Sequence, residues 1–244
     1  MIAITFDVDW APDKIVTDVV SLLDENKVPA TLFCTNYTKD RSGNSSNLST
    51  LLHERHEVAL HPDFQNTSSY AEQWEHLLSL YPQACGWRSH NGMTGWPIIK
   101  EGVARGMRYE VFSSVFDDYV TPSHVNGALK SYMAFTTTFW DSHRFHDRNF
   151  SWSLRDMPLR QYYGDADKLV VLGFHPNIVY YDMSYTDEYD RRKPSYHEVK
   201  EEESYRHRPR RGAMKLLEEL LDSVPARHFS TLSSFAINAG FFRV

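Results

Sequence analysis

Two carboxylates, Asp7 and Asp9, close the first apolar segment of the chain, Ile-Ala-Ile-Thr-Phe-Asp-Val-Asp. The apolar residues of this segment alternate with others, as the buried positions of a β-strand do. Side chains two residues apart lie on the same face of a strand, so both carboxylates point to one place if the extended backbone continues to Asp9. Such a pair could share a metal ion. The structural alternative is that these aspartates serve only as turn residues or helix caps.

Imidazole and guanidinium groups follow later apolar segments in the same way. The members of this set are His61, Arg88, His90 and His175. Each also has a structural explanation. His61 and His175 precede prolines at ordinary strand ends, Arg88 could pair with a helix terminus or an acid, and the Ser-His-Asn-Gly sequence around His90 is typical of a turn.

The residue types together fit metal-assisted hydrolysis. A carboxylate and two imidazoles are common ligands of a catalytic divalent metal and leave positions open for water and a substrate oxygen. The candidate ligands are Asp9, His61 and His90. Asp7 would act as general base, with Arg88 holding it ionised, and His175 as general acid for the leaving group. This set suits cleavage of an amide or ester through a tetrahedral oxyanion.

Strands and helices alternate along the chain and must bring these residues together. The predicted strands are 2–7, 30–35, 56–61, 84–88, 109–112, 132–139, 168–174 and a last one near 228–232. The predicted helices are 14–26, 48–55, 70–80, 96–105 and 211–222. Alternation of this kind indicates a parallel α/β architecture, in which functional residues gather at the carboxyl ends of the strands. All six candidate residues lie at or just beyond predicted strand ends, so we expect them to meet at one face.

Composition limits the possible functions. The 244 residues fit a single domain, 1–244, with a polar, mixed-charge excursion or lid at about 182–210. The net charge of −6 argues against general nucleic-acid binding. The two cysteines, Cys34 and Cys85, are too far apart to indicate a metal knuckle, and we expect buried free thiols. The first strand begins at Ile2 and no apolar run approaches the roughly 20 residues that span a bilayer, so we expect a cytoplasmic protein without an integral membrane segment. No feature indicates an oligomeric state.

Four segments resemble the motifs of the polysaccharide deacetylases, the carbohydrate esterase family four with its NodB-homology domain. Ile-Thr-Phe-Asp-Val-Asp, ending at Asp9, resembles T-F-D-D-G, and Glu-Val-Ala-Leu-His, ending at His61, resembles the segment of H-x-x-x-H. Arg-Ser-His-Asn-Gly, starting at Arg88, is similar to R-P-P-Y-G, and Leu-Gly-Phe-His, ending at His175, to the last, L-x-H-type motif. Trp140-Asp141 resembles a further motif. The resemblance implies a distorted (β/α) barrel of seven or eight strands in one domain. It also implies a divalent metal cofactor, and zinc is the metal expected.

This sequence departs from the family pattern at two positions. Gln65 stands four residues after His61, where H-x-x-x-H has its second metal-binding histidine, and His90 stands where the third motif usually has proline. We expect His90 to supply the missing ligand. The sequence is most similar to the WbmS-like branch of the family, which implies an N-acylated sugar as substrate, in surface-polysaccharide or O-antigen biosynthesis.

Two other functions remain open. Gln65 would also suit a catalytically inactive barrel that binds a glycan or a protein partner, since a broken ligand set often means a lost metal. A hydrolase of small amides, like the deformylase and allantoinase-like relatives of this superfamily, would use the same groups on another substrate.

Overall fold

The computed structural model describes residues 1–9, 11–35, 54–65, 67, 69–115, 123–125, 132–157, 159 and 168–241. The strands in this part of the chain are β1 (Ile2–Asp7), β2 (Ala30–Cys34), β3 (Glu57–Leu60), β4 (Gly86–Trp87), β5 (Tyr109–Val115), β6 (Ser123–Val125), β7 (Tyr132–Thr137), β8 (Phe139–Trp140) and β9 (Val170–Phe174). The helices are α1 (Asp13–Glu25), α2 (Tyr70–Leu80), α3 (Trp96–Ala104), α4 (Asp141–Arg144), α5 (Pro176–Tyr180), α6 (Thr186–Arg192), α7 (Ala213–Ser223) and α8 (Leu232–Asn238).

The strands form one sheet in the order β6-β7-β5-β4-β3-β2-β1-β9-β8, and every pairing is parallel except that of β6 with β7. β7 pairs with β5, while β8, two residues further along the same segment, pairs with β9. Thr138 joins β7 to β8, and its backbone N–H donates to the Val171 carbonyl at 2.8 Å. The segment from β7 to β8 therefore connects the β5 end of the sheet with the β9 end. The eight parallel strands form a nearly closed barrel with helices around it, as predicted.

The alternation along β1 separates two apolar layers. Ile2, Ile4 and Phe6 pack outward against the helices, in the larger core cluster, whereas Ala3 belongs to the cluster inside the barrel. Asp7 lies four residues after Ala3, an even number, and is therefore on the same inward face of the strand. The strand thus delivers a carboxylate to the mouth of the barrel.

β4 places Arg88 in the same way. Gly86 lies against the ring of Tyr109, a member of the interior cluster, and a Cβ atom at Gly86 would lie 1.8 Å from the ring carbon Cζ. Trp87 points outward and contacts Phe64 and Trp74 edge to face. Arg88 follows on the inward side and is fully buried. A short strand with glycine at the crowded position is thus enough to direct the guanidinium into the barrel.

The strand predicted near 228–232 is wrong. Phe229 makes only an isolated bridge to Ile2, and helix α8 begins at Leu232. Thr231 explains the difference, because its hydroxyl accepts a hydrogen bond from the Ser234 N–H at 3.2 Å and so caps the helix. Leu232 and Phe235 then pack inside the barrel. The helix predicted at 48–55 lies mostly outside the described residues.

The polar segment 182–210 contains helix α6 and three single 3₁₀ turns. Asp182, at its start, ties it to helix α7: its Oδ1 accepts hydrogen bonds from the backbone N–H groups of Gly212, Met214 and Lys215. Arg192, in its middle, is 6% exposed and donates to the Glu198 carbonyl at 2.6 Å. The segment is therefore a folded part of the molecule rather than an irregular loop. No helix in the described ranges is both long and apolar enough to cross a bilayer.

Candidate metal and catalytic site

Three side chains converge at the mouth of the barrel. Asp9 Oδ1 lies 3.0 Å from His61 Nε2 and 3.2 Å from His90 Nδ1, and the two imidazole nitrogens lie 3.3 Å apart. Asp9 follows β1, His61 follows β3, and His90 lies two residues beyond Arg88 in a 3₁₀ turn, His90–Gly92. The parallel neighbours β1, β2, β3 and β4 therefore bring the three predicted ligands together at their carboxyl ends.

The hydrogen bonds of His61 fix which nitrogen faces this cluster. His61 Nδ1 lies 2.7 Å from the carbonyl oxygen of Arg88, and a carbonyl can only accept. Nδ1 therefore carries the proton, and Nε2 directs a lone pair at Asp9 in the neutral ring. A backbone carbonyl behind a histidine is a common way of orienting a metal ligand.

The ligand atoms fit a divalent cation. Asp9 Oδ1 is buried and forms no hydrogen bond with the described residues, although two ring nitrogens lie close by. A carboxylate oxygen and two ring nitrogens this close together are costly to bury unless a proton or a cation lies between them. All three ligand atoms lie within 4.8 Å of one another, which suits a single ion.

Charges within the cluster shift the pKa values of its members. Burial would raise the pKa of Asp9, but the neighbouring His61 and His90, with the charge of His175, hold it well below its ordinary value. Burial also lowers the pKa of His61, and the charges of Asp7 and Asp9 outweigh that effect and raise it. The carboxylate of Asp9 is thus ionised, as a metal ligand must be.

The backbone at Asp9 differs from the sequence prediction. Its φ of +44° is left-handed, so the extended conformation does not continue from Asp7 to Asp9. Aspartate tolerates this region better than most residues. The turn, and not the strand alternation, directs the Asp9 carboxylate toward the histidines.

Asp7 and Arg88 form a buried ion pair beside the ligands. Arg88 Nη1 donates to Asp7 Oδ1 at 2.7 Å, and Nη2 donates to the Thr5 hydroxyl at 3.0 Å. The guanidinium lies 4.3 Å from the ring centroid of Phe33 and 4.8 Å from that of Trp140, so it is packed on both aromatic rings. Asp7 Oδ2 lies 4.0 Å from His61 Nε2. Arg88 thus holds one oxygen of Asp7, and the other faces the ligand cluster.

His175 approaches Asp9 from the end of the neighbouring strand β9. Its Nε2 lies 3.6 Å from Asp9 Oδ2, and its Nδ1 donates to Asp141 Oδ1 at 2.7 Å. Asp141 is fully buried at the end of β8. Burial lowers the pKa of His175, but the charge and hydrogen bond of Asp141, with the charge of Asp9, raise it to about 9. His175 is therefore protonated at neutral pH and suited to donate a proton.

Asp141 is absent from the residues chosen on the basis of sequence chemistry. Only its resemblance to a family motif indicated it. The signal available was its position, since Asp141 lies just beyond the predicted strand 132–139, as His175 lies just beyond the predicted strand 168–174.

Gln65 does not join the ligand set. Its side-chain oxygen accepts a hydrogen bond from Asn91 Nδ2 at 3.3 Å, and the residue is exposed. Asn91 has a left-handed φ of +55° in the turn that also carries His90. Gln65 therefore contacts the turn of His90 rather than the cluster itself.

A family model described as WbmS-like polysaccharide deacetylase matches residues 4–193. The chain belongs to this family. The matched span of the WbmS-like family contains Asp7, Asp9, His61, Arg88 and His90, and also the pair of His175 and Asp141. It ends within the segment 182–210.

Solved structures share the barrel. A protein of Bordetella bronchiseptica assigned as a polysaccharide deacetylase involved in O-antigen biosynthesis is 22% identical and superposes with a TM-score of 0.72, over 91% of this chain and 89% of its own. A protein of Mycobacterium smegmatis assigned as a polysaccharide deacetylase is 15% identical, with a TM-score of 0.51 over 94% and 91%. A 4-alpha-glucanotransferase of Thermococcus litoralis is 9% identical, with a TM-score of 0.57 over 97% of this chain but 40% of its own. At these identities the likeness establishes the fold alone. No curated protein sequence matches the chain.

Proposed function

We propose that this member of the WbmS-like family is a metal-dependent deacetylase that hydrolyses the amide bond of an N-acylated sugar. The observation that carries the proposal is the meeting of Asp9, His61 and His90 between two groups that are held by different partners. Asp7 is held by Arg88 on one side, and His175 is held protonated by Asp141 on the other. A base and an acid flanking a ligand cluster are what amide hydrolysis requires.

The residues divide the reaction between them. Asp7 Oδ2, free of the Arg88 hydrogen bond, accepts a proton from the attacking water. His175 Nε2 donates its proton to the amide nitrogen as the carbon–nitrogen bond breaks, which releases a carboxylic acid and an amino sugar. Asp9, His61 and His90 would hold a divalent metal, which would supply charge stabilisation to the acyl oxygen. We expect zinc, because one carboxylate and two imidazoles suit it.

An open groove on the same face of the barrel as the site supports a carbohydrate substrate. Trp96, at the start of α3, is 56% exposed and lines an open groove with Tyr70 and Lys100. Helices α2 and α3 follow β3 and β4, so their first turns lie on the same face of the barrel as His61 and His90. An exposed indole with polar neighbours suits the apolar face and hydroxyl groups of a sugar ring.

The biosynthetic context is part of the proposal. The Bordetella bronchiseptica relative is assigned to O-antigen biosynthesis, and we propose a related role in the assembly of a surface polysaccharide for this chain. A cytoplasmic location stays a prediction from the sequence.

Metal content tests the proposal directly. We expect about one transition metal per chain, by elemental analysis, in protein purified without a metal-affinity tag, and its loss in His90→Ala. His76→Ala is the matched control, because His76 is exposed on helix α2, away from the cluster, and this variant should keep its metal. Wild-type protein without metal after supplementation with zinc, manganese and cobalt would favour the inactive glycan-binding barrel.

Analysis of the reaction products distinguishes a sugar deacetylase from a small-amide hydrolase. Incubation of the metal-loaded protein with N-acetylated sugars and small amides, followed by assay of acetate, formate and ammonia, identifies the bond that is cleaved. Acetate from an N-acetylated sugar supports the deacetylase. Formate or ammonia from a small amide, with no acetate from any sugar, would replace it with the small-amide hydrolase.

A further inference from the structure

Arg88 bonds one oxygen of Asp7, although an arginine beside a carboxylate frequently bonds both. Its Nη1 donates to Asp7 Oδ1 at 2.7 Å, and within the described ranges this is the one hydrogen bond between the two side chains. The second terminal nitrogen, Nη2, donates instead to two hydroxyl groups, that of Thr5 at 3.0 Å and that of Thr137 at 3.4 Å. Both N–H groups of Nη2 are therefore bonded to threonines.

The protons of these two hydroxyl groups are committed to the backbone. The Thr5 hydroxyl donates to the Leu172 carbonyl oxygen at 3.0 Å, and the Thr137 hydroxyl donates to the Phe112 carbonyl oxygen, also at 3.0 Å. A hydroxyl has one proton and a carbonyl can only accept, so each threonine presents only lone pairs to Arg88. The two threonines are thus oriented as acceptors for the guanidinium.

The two threonines lie on opposite sides of β4 in the strand order. Thr5 belongs to β1 and Thr137 is the last residue of β7, whereas Arg88 follows β4, which stands between them. Both threonine side chains are fully buried, and the rings of Phe33 and Trp140 pack on the guanidinium. Nη2 is therefore fixed from two sides in the interior of the barrel.

The position of Nη2 determines which oxygen of Asp7 is available for chemistry. Asp7 Oδ2 faces His61 Nε2 at 4.0 Å. If Nη2 were free to turn, the guanidinium would pair with both carboxylate oxygens, because two parallel charge-assisted hydrogen bonds are stronger than one. Oδ2 would then be occupied, and it could accept a proton only after that pair had broken.

We propose that Thr5 and Thr137 are positioning residues, which hold Arg88 on a single oxygen of Asp7 and so keep Oδ2 free for the proton of the attacking water. The inference rests on the proposed function, in which Asp7 is the base. Neither threonine transfers a proton. If the hydroxyls served only to satisfy a buried guanidinium, their loss would lower stability but leave the turnover of the folded protein unchanged.

Loss of both hydroxyls should slow turnover without weakening substrate binding. We expect metal-loaded Thr5→Val/Thr137→Val to lose about 10- to 100-fold in kcat, with KM and metal content nearly unchanged, in assays of acetate released from N-acetylglucosamine or N,N′-diacetylchitobiose. Thr5→Ser/Thr137→Ser keeps both hydroxyls and should restore kcat to within about 3-fold of wild type. An unchanged kcat in the folded valine variant of an active enzyme overturns the inference.

Thr31→Val is the matched control. Thr31 lies beside Thr5 in the register of β1 and β2 and is equally buried. Its hydroxyl donates to Glu57 Oε2 at 2.9 Å and accepts from the Leu232 N–H at 3.1 Å, so it supports helix α8 rather than Arg88. We expect this variant to lower the melting temperature and to leave kcat unchanged. An equal loss of kcat in Thr31→Val would show a general effect of buried hydroxyls and overturn the inference.

A crystal structure of the valine double variant separates this inference from the proposed function. We expect Arg88 to bond both oxygens of Asp7 there, with Nη2 on Oδ2. That result supports the role of the threonines in placing Arg88 even if wild-type protein hydrolyses neither probe, an outcome that counts against the deacetylase alone. A guanidinium that still bonds only Oδ1 overturns the inference whether or not wild-type protein is active. If the double variant does not fold, Thr5→Val, which removes the closer hydroxyl, is judged by the same two criteria.

Discussion

Asp141 binds His175 through both of its carboxylate oxygens. Oδ1 accepts a hydrogen bond from the ring Nδ1 at 2.7 Å, and Oδ2 accepts one from the backbone N–H, also at 2.7 Å. The strand pair β8–β9 fixes this arrangement, because Asp141 and His175 are the residues that directly follow the two strands. The pair therefore determines both the direction of the imidazole and its charge.

Asp141→Asn should shift the alkaline limb of the pH profile. A general acid must be protonated, so activity is lost as the pH rises through the pKa of His175, which Asp141 helps to raise to about 9. Removing the negative charge lowers that pKa, so the limb should move to lower pH by about one unit or more. The measurement is kcat/KM against pH. An unmoved limb would show that His175 is not the acid.

Asp7→Asn and Asp9→Asn should lose activity for different reasons. Asp7→Asn removes the proposed base but no ligand, so kcat should fall about 10²- to 10⁴-fold with the metal retained. Asp9→Asn should lose the metal together with the activity, because an amide oxygen is a weaker and uncharged ligand. Metal content and kcat measured on the same preparations distinguish the two. Metal loss in Asp7→Asn would instead place Asp7 among the ligands.

Gly86→Ala should destabilise the barrel where it positions Arg88. The added Cβ would lie 1.8 Å from Cζ of Tyr109, whose ring is itself buried and cannot withdraw. We expect a loss of about 1–3 kcal/mol in the free energy of unfolding, from denaturant titration. Gly95→Ala is the control, because its Cβ would have no neighbour closer than 3.9 Å. Equal stability of the two variants would contradict this account of β4.

Sequence reasoning could predict the candidate site because strand ends carry a strong signal. Apolar segments that stop at Asp7, His61 and His175 are visible without a structure, and in a parallel barrel such ends lie on one face. The same reasoning predicted helix α2 at Tyr70–Leu80, the range that the structure has. Local sequence was sufficient to predict a functional residue that lies directly at the end of a strand.

Features that depend on tertiary contacts could not be predicted. Asp9, just beyond the end of β1, has a left-handed backbone that no sequence pattern signals. The closure of the barrel at Thr138 depends on a hydrogen bond to Val171, far along the chain. The threonine cap of α8 competed with a strand-like sequence at 228–232, and the packing of Leu232 inside the barrel favours the helix.

Gln65→His should not restore a metal site that has lost His90. A sequence comparison predicts the opposite, since the change would rebuild the H-x-x-x-H spacing after His61. In the structure, however, the residue at 65 is exposed and its side chain contacts Asn91 rather than Asp9. We therefore expect His90→Ala/Gln65→His to contain as little metal as His90→Ala, by elemental analysis. Metal bound by the double variant but not by His90→Ala would contradict this expectation. It would show that a side chain at position 65 can still reach the cluster.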